Sequence, residues 1–372
     1  MAFSHTHQTG SDWKTICENC ISDLPNEALG DLAFIYIHHQ LASETDRILD
    51  YLRSHTGITH WVGSVAEALC STGRETYEEI AIAILVTDFK QEDFRVIPPL
   101  RDNPQVWLDE NRSWIDQHFA SIAVVHGDPT HHTVPQTIEQ LADQLQGFVV
   151  GGLTSSDTLN VQIADQAVGA GLSGVLLGSN IAMHTRLAQG CQLISDPHTI
   201  TECEQHIIVK IDDRPALDVF KEAIGPELAE DLHAVGGRIF AALPIEGSDT
   251  GDYLVRNLVG LDPDHKLIAI GDMAHVGQRI QFARRDKDAA KQDLIEMVNQ
   301  LKANTNKPIK GVLYHTCLGR GRHEFGAPNV ELNIIKEHLG DVPLIGFFAN
   351  GEISHRRLYG YTGVLSVFYC CA

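Results

Sequence analysis

Residues 314–326 (YHTCLGRGRHEFG) carry the densest chemistry in the chain: a thiol, two arginines and two histidines in one glycine-rich turn. The apolar stretch 310–314 reads as a short buried strand leading into it, and Leu332, Ile335 and Leu339 recur at helical spacing after Pro328-Asn329. Strand, glycine loop and helix together point backbone N–H groups at an anion. Arg320 and Arg322 add positive charge, and Cys317 adds a thiol at the strand's end. No Gly-Lys-Ser/Thr follows, so this is not a P-loop. The alternative is an ordinary strand-to-helix turn with solvated arginines.

His315 and Cys317 are two residues apart, and such positions on a strand share a face. A thiol activated by an adjacent base is therefore the chemistry of a cysteine-dependent hydrolase or transferase. No motif declares a group to orient the histidine, nor an oxyanion hole. Further polar groups end apolar strands elsewhere. Arg256 interrupts YLVRNLVG, where an arginine is costly unless paired. Arg285 closes another strand, with Asp286 placed to cap the next helix. Asn350-Gly351-Glu352 forms a turn after Phe347-Phe348, and Cys191 follows Gly190. The expected ligand contacts are Cys191, Arg256, Arg285, Cys317, Arg320, Arg322, Asn350 and Glu352, converging on one pocket between two lobes. Glu352 opposite arginines suits a zwitterion, ammonium at one end and carboxylate at the other.

The elements that must position these groups recur. Apolar strand 32–37 ends in His38-His39, an amphipathic helix carries Leu41, Ile48, Leu49 and Leu52, and strands at 60–65 and 79–86 follow. The same β-α-β-β order returns at 121–126, 138–145, 148–152 and 171–178, and again from Gly311 to the strand after Gly360. Histidines 39, 126 and 315 end the first strand of each copy. Between copies two and three the pattern changes. Segments 181–192 and 199–210 read as extended antiparallel strands, with helices at 214–224 and 226–234 and strands at 238–243, 253–259, 267–272 and 279–283. The Gly/Ser/Asp-rich segment 246–252 reads as a linker or loop. The expected architecture is α/β, a two-lobed layered sandwich of mixed sheets covered by helices. Residues 1–29 form a helical extension, 30–222 the first domain and 223–372 the second.

With 372 residues, 43% of them hydrophobic and 21% charged, the chain can bury ordinary cores. A net charge of −21 repels phosphate backbones, so nucleic acid is excluded as a partner. No run of about 18 apolar residues spans a bilayer and no secretory signal opens the chain. The eight cysteines are scattered, as reduced thiols of a cytoplasmic protein are. Cys17 and Cys20 share the apolar stripe of a helix over 12–24 and are expected to bind no metal, although His5 and His7 lie just upstream. No cofactor is expected.

The segments GDYLVRNLVGLDP (251–263), RIQFARRD (279–286), HTCLGRGRHEFG (315–326), VPLIGFFANGEIS (342–354) and LYGYTGVL (358–365) resemble those of the FIST family. This is the module shared by F-box proteins and bacterial signal-transduction proteins. VGSVAEAL (62–69), VVGGLTSSD (149–157), GLSGVLLGS (171–179) and LAQGCQLIS (187–195) are similar to its first domain. The family pattern Gly-Cys-Arg-Pro-Ile-Gly stands here as Gly190-Cys191-Gln192-Leu193-Ile194-Ser195, without the arginine. The resemblance implies a small-ligand sensory module, for amino acids or related metabolites, with its signalling partner a separate protein; a binding role is favoured over catalysis, with a cysteine-dependent hydrolase or transferase using Cys317 and His315 as the alternative.

Overall fold

The computed structural model describes residues 3–25, 30–245, 252–303 and 307–370; most of the segment 246–252, expected as a linker, lies outside them. The chain divides into two compact units, one of residues 1–189 and 291–372, the other of 190–290. The second unit is thus an insertion in the first, a division different from the linear one at residue 222.

In chain order the first unit begins with β1 (Ser4–Thr9), α1 (Trp13–Asp23), β2 (Leu32–His38), α2 (Thr45–Thr56), β3 (His60–Ala66), β4 (Leu69–Ser71), β5 (Arg74–Thr76) and β6 (Ala81–Val86). It continues through β7 (Phe94–Leu100), α3 (Gln105–His118), β8 (Ile122–Gly127), α4 (Val134–Leu145), β9 (Phe148–Leu153), β10 (Gln162–Ala164), β11 (Ala167–Val168), β12 (Leu172–Leu177) and β13 (Ala182–Gln189). The inserted unit holds β14 (Cys191–Leu193), β15 (His198–Glu204), β16 (Ile207–Ile211), β17 (Arg214–Pro215), α5 (Ala216–Ile224), α6 (Pro226–Glu230), β18 (Ile239–Pro244), β19 (Tyr253–Asp262), β20 (Leu267–Ile270) and β21 (Arg279–Arg285). After α7 (Lys287–Ala303) come β22 (Ile309–Cys317), α8 (Arg322–Phe325), α9 (Val330–Leu339), β23 (Leu344–Ala349), β24 (Glu352–His355), β25 (Arg357–Tyr359) and β26 (Thr362–Tyr369).

The recurring β-α-β-β order is a threefold repeat in space. Strands β2 and β3, β8 and β9, and β22 and β23 each run parallel, joined through α2, α4 and α9. The third strand of each copy, β6, β12 or β26, lies antiparallel to the first. The copies exchange hairpins in a cycle. β4–β5, which follow β3, extend the third copy's sheet beside β23; β24–β25 extend the second beside β9; β10–β11 extend the first beside β3. No copy completes its sheet alone.

Alternation along the strands explains why they read as continuous apolar runs. Phe34, Val124 and Leu313 face one shared core with Val62, Val150 and Ile345. Ile35 and Ile37 face α1 and α2, Ala123 and Val125 face α3 and α4, and Val312 and Tyr314 pack with Leu294 of α7 and Leu332 of α9. Both faces are covered, so neither needs polar residues. Each parallel pair also carries a glycine where it is closest. A Cβ on Gly63, Gly151 or Gly346 would lie 1.7, 1.8 or 1.8 Å from the carbonyl oxygen of Ile35, Val125 or Tyr314, the residues opposite in register. Only glycine admits that approach.

Several elements differ from expectation, segment 181–192 among them, which is two strands, β13 and β14, of different sheets. The amino-terminal segment is more than a helical extension, because β1 pairs along its whole length with β6. Its alternation of polar residues (SHTHQT) hides an edge strand. Segment 199–210 is not one strand but a hairpin of β15 and β16, turned at Gln205, whose φ is +53°. The inserted unit is an eight-stranded antiparallel sheet that packs Ile200, Ile208, Ile239 and Phe282 against Leu217 and Phe220 of α5. Cys17 and Cys20 are buried on α1 in apolar surroundings. Among the described residues no helix is long and apolar enough to cross a membrane.

Candidate functional site

Tyr36, His126 and His315 each directly follow the residue whose carbonyl faces the repeat's glycine, so they occupy one position in three copies. All three are buried and point to a common centre, with ring centroids 5.6, 6.0 and 6.0 Å apart. Tyr36 Oη lies 2.8 Å from His315 Nε2 and 3.3 Å from His126 Nε2. The phenol has one proton, so it donates to one ring and accepts N–H from the other. Both Nδ1 atoms remain without a hydrogen-bond partner among the described residues. Burial pushes His315 down to about 3, and burial with the neighbouring His315 pushes His126 well below its ordinary value. Both imidazoles are neutral at pH 7. The sequence paired His126 and His315 with His39; the equivalent residue is Tyr36, and the signal that finds it is the spacing to the strand glycine.

Above this triangle, at the carboxyl ends of the strands, all three repeats contribute to a cleft of about 350 Å³. His38, His39, Glu67 and Ala68 come from the first copy, Asp157 from the second, and Leu318, Arg322 and His323 from the third, with Tyr77 and Glu78 beside them. His38 is 1% exposed and donates its Nε2–H to the Tyr77 carbonyl at 3.2 Å. Its neutral ring therefore has a bare acceptor at Nδ1, which has no hydrogen-bond partner among the described residues. Burial holds its pKa below the usual histidine value. His39 Nδ1 pairs with Asp157 Oδ1 at 2.5 Å. Strand carboxyl ends are where α/β folds open their ligand crevices.

The glycine-rich turn brings Arg322 to this cleft, but not as an anion cradle. Gly321 has φ +55°, and a Cβ there would lie 2.2 Å from Tyr77 Oη. The close approach lets the Arg322 N–H donate to that hydroxyl at 3.0 Å. Leu318 and Arg320 donate their N–H groups to the carbonyls of Ala349 and Cys317, and Gly319 donates to Cys317 Sγ. The N–H groups of Leu318, Gly319, Arg320 and Arg322 are thus spent within the fold. Arg320 is not solvated: it is 1% exposed and gives Nε–H to Glu331 Oε1 at 2.7 Å, its Nη2 lying 2.6 Å from the same oxygen. Glu331 also accepts from Tyr314 Oη at 2.6 Å and Thr316 Oγ1 at 3.2 Å.

Glu352 is fully buried, accepting from the Thr362 N–H and Oγ1 at 3.1 and 2.8 Å, with Oε1 unpartnered among the described residues. Burial lifts its carboxyl to about 8, against the pull of Thr362 and Arg320. Burial and the nearby Glu352 lift the Cys317 thiol to about 12. Asn350 is exposed, and Asn350-Gly351 links strands of two different sheets rather than closing a hairpin. Cys317, half-buried, thus shares one neighbourhood with the buried Arg320 and Glu352, while Arg322 of the eight expected residues lines the cleft.

Cys191, Arg256 and Arg285 belong to the inserted unit. Cys191 faces Arg285 in register, and its carbonyl accepts from Tyr253 Oη. Arg256 pairs through Nε with Asp272 Oδ2 at 2.7 Å. Asp286 caps α7, accepting from the N–H groups of Asp288 and Ala289 at 3.0 Å each.

The pattern of the FIST N domain matches residues 31–214, and that of the FIST C domain matches 216–355. The chain belongs to the FIST domain family. FIST domains are small-ligand sensory modules of signalling proteins. An uncharacterized protein of Mycobacterium tuberculosis (strain CDC 1551 / Oshkosh) is 30% identical over 345 residues, covering 88% of each chain. An uncharacterized protein of Mycobacterium bovis is 29% identical over 346 residues with the same coverage. The first FIST pattern runs across the first two repeats and into the insertion.

With its thiol near 12 and its histidine near 3, the His315–Cys317 pair is neutral on both sides and holds no ready thiolate. At pH 8 Cys317 should alkylate with iodoacetamide about a thousandfold more slowly than an unperturbed thiol. Peptide mapping by mass spectrometry measures this. Labelling at the rate of glutathione would show that the thiolate forms.

Proposed function

We propose that this FIST protein is a cytoplasmic sensor that binds an amino acid or a related zwitterionic metabolite in the cleft at its strand ends, and passes the signal to a separate partner. One observation carries the reading: the cleft combines a guanidinium, Arg322, with the carboxylates of Glu67 and Asp157 and the bare Nδ1 of His38. A ligand carboxylate matches the first and an ammonium matches the others. A volume of about 350 Å³ suits a ligand of that size. The protein's charge of −21 repels free anions at long range, which favours a ligand with no net charge.

Thermal-shift titration against the amino acids tests this. At least one should raise the melting temperature in proportion to the logarithm of its concentration. Arg322→Ala and Glu67→Gln should each weaken that ligand about tenfold or more, as loss of a charge-assisted contact does. A flat response across the set, or unchanged affinity in both variants, would overturn the reading.

A further inference from the structure

Arg322 is held on a fixed platform and is already engaged by a carboxylate of the protein itself. Its guanidinium lies 4.3 Å from the centre of the Tyr77 ring. That ring is pinned at its hydroxyl, which donates to Glu75 Oε2 at 2.6 Å and accepts the Arg322 N–H at 3.0 Å. The platform is half-buried, and Phe348 packs beside it at 5.1 Å. What faces the guanidinium is Glu78, with Oε1 2.6 Å from Nη1. Glu78 is 75% exposed and sits on the short connection between β5 and β6. Both residues line the cleft. The platform is built; the carboxylate on it is a surface group.

We infer that Glu78 is a built-in competitor for the anionic end of the ligand, and so a specificity-determining residue. A ligand that takes the Nη1 position of Arg322 must displace Glu78, a cost common to all anions that a ligand held by Arg322 alone does not recover. A carboxylate ligand that places its second end on Glu67, Asp157 or His38 adds the contacts that tip the exchange. The inference rests on the reading of the cleft as the ligand site. An exposed ion pair is a weak competitor, so its removal should sharpen binding about two- to fivefold rather than by orders of magnitude.

The test uses the full chain with nitrogen-15-labelled arginine, following side-chain resonances by NMR as acetate, the minimal carboxylate, is added. Glu78→Gln should bind acetate at Arg322 about two- to fivefold tighter than the parent. Glu79→Gln removes the same formal charge one residue away and should change affinity less. In an Arg322→Ala background the Glu78→Gln gain should vanish. Equal gains from Glu78→Gln and Glu79→Gln, no gain from Glu78→Gln, or a gain that survives Arg322→Ala would each overturn the inference. If acetate shows the competition while no amino acid stabilises the protein, the amino-acid reading fails and the role of Glu78 stands.

Discussion

Replacing Arg320 with methionine should destabilise the repeat unit by about 3–5 kcal/mol, because it strands a buried carboxylate. Glu331 is fully buried on α9, with Arg320 as its counter-charge and the hydroxyls of Tyr314 and Thr316 as its other donors. Two hydroxyl bonds do not replace a cation in a dry site. Glu331→Gln in the Arg320→Met background removes the stranded charge while keeping an acceptor for Tyr314. The double variant should therefore be more stable than Arg320→Met alone, by about 1–3 kcal/mol. Urea unfolding monitored by circular dichroism gives both differences. Arg320→Met unfolding at the parent's midpoint would mean that the pair carries no stability, and a double variant weaker than the single would mean that the charge was never the problem.

This pair marks where sequence pattern stops informing. The strands around the site were legible because burial on both faces makes them continuously apolar, and the β-α-β-β recurrence was legible because each repeat spends similar residues on similar jobs. That Arg320 is buried was not legible. Its partner Glu331 lies eleven residues on, and an acid in the first turn of a helix reads as an ordinary macrodipole residue on the solvent side. The hairpin exchange was also hidden, since Leu69–Ser71 follow β3 yet hydrogen-bond to Ile345–Phe347. Nothing local to either segment specifies a partner so far along the chain. Tyr36 was missed for a different reason: His38 and His39 stand at the end of the same strand and match His126 and His315 in residue type, whereas the ring that meets those two is a phenol. Arg322 was found because a glycine-rich turn after a strand is a local signal, although its glycine admits Tyr77 rather than an anion.

The buried ionisable groups should give this protein a stability optimum near pH 6.5. His7 and His315 are both pushed down to about 3, mainly by burial, with Arg74 and His5 adding to it at His7. Each is neutral when folded and titrates near 6.5 when unfolded, so below pH 6.5 the unfolded chain takes up protons that the native state refuses. Each contributes stability that is fully present above 6.5 and falls by about 1.4 kcal/mol per unit as pH drops towards 3. His126 acts in the same direction. Glu352, lifted to about 8, has the opposite sign: its native state keeps a proton that the unfolded chain loses above about 4.5, so its stabilisation is complete below that and lost as pH rises through 8. Between 6.5 and 4.5 the histidines outnumber the carboxyl, and the net loss should be at least about 3 kcal/mol by pH 4.5, steepening below once Glu352 no longer compensates. Between 6.5 and 8 Glu352 is left alone and should cost about 2 kcal/mol. Urea midpoints measured from pH 4.5 to 8.5 trace both limbs. Glu352→Gln should flatten the alkaline limb and, by removing the compensating carboxyl, steepen the acid limb between 4.5 and 6.5 by about 1.4 kcal/mol per unit, whereas His7→Gln should make the acid limb shallower by about the same amount. A parent midpoint independent of pH from 4.5 to 6.5 would show that the buried histidines take up protons as readily in the native state as in the unfolded chain.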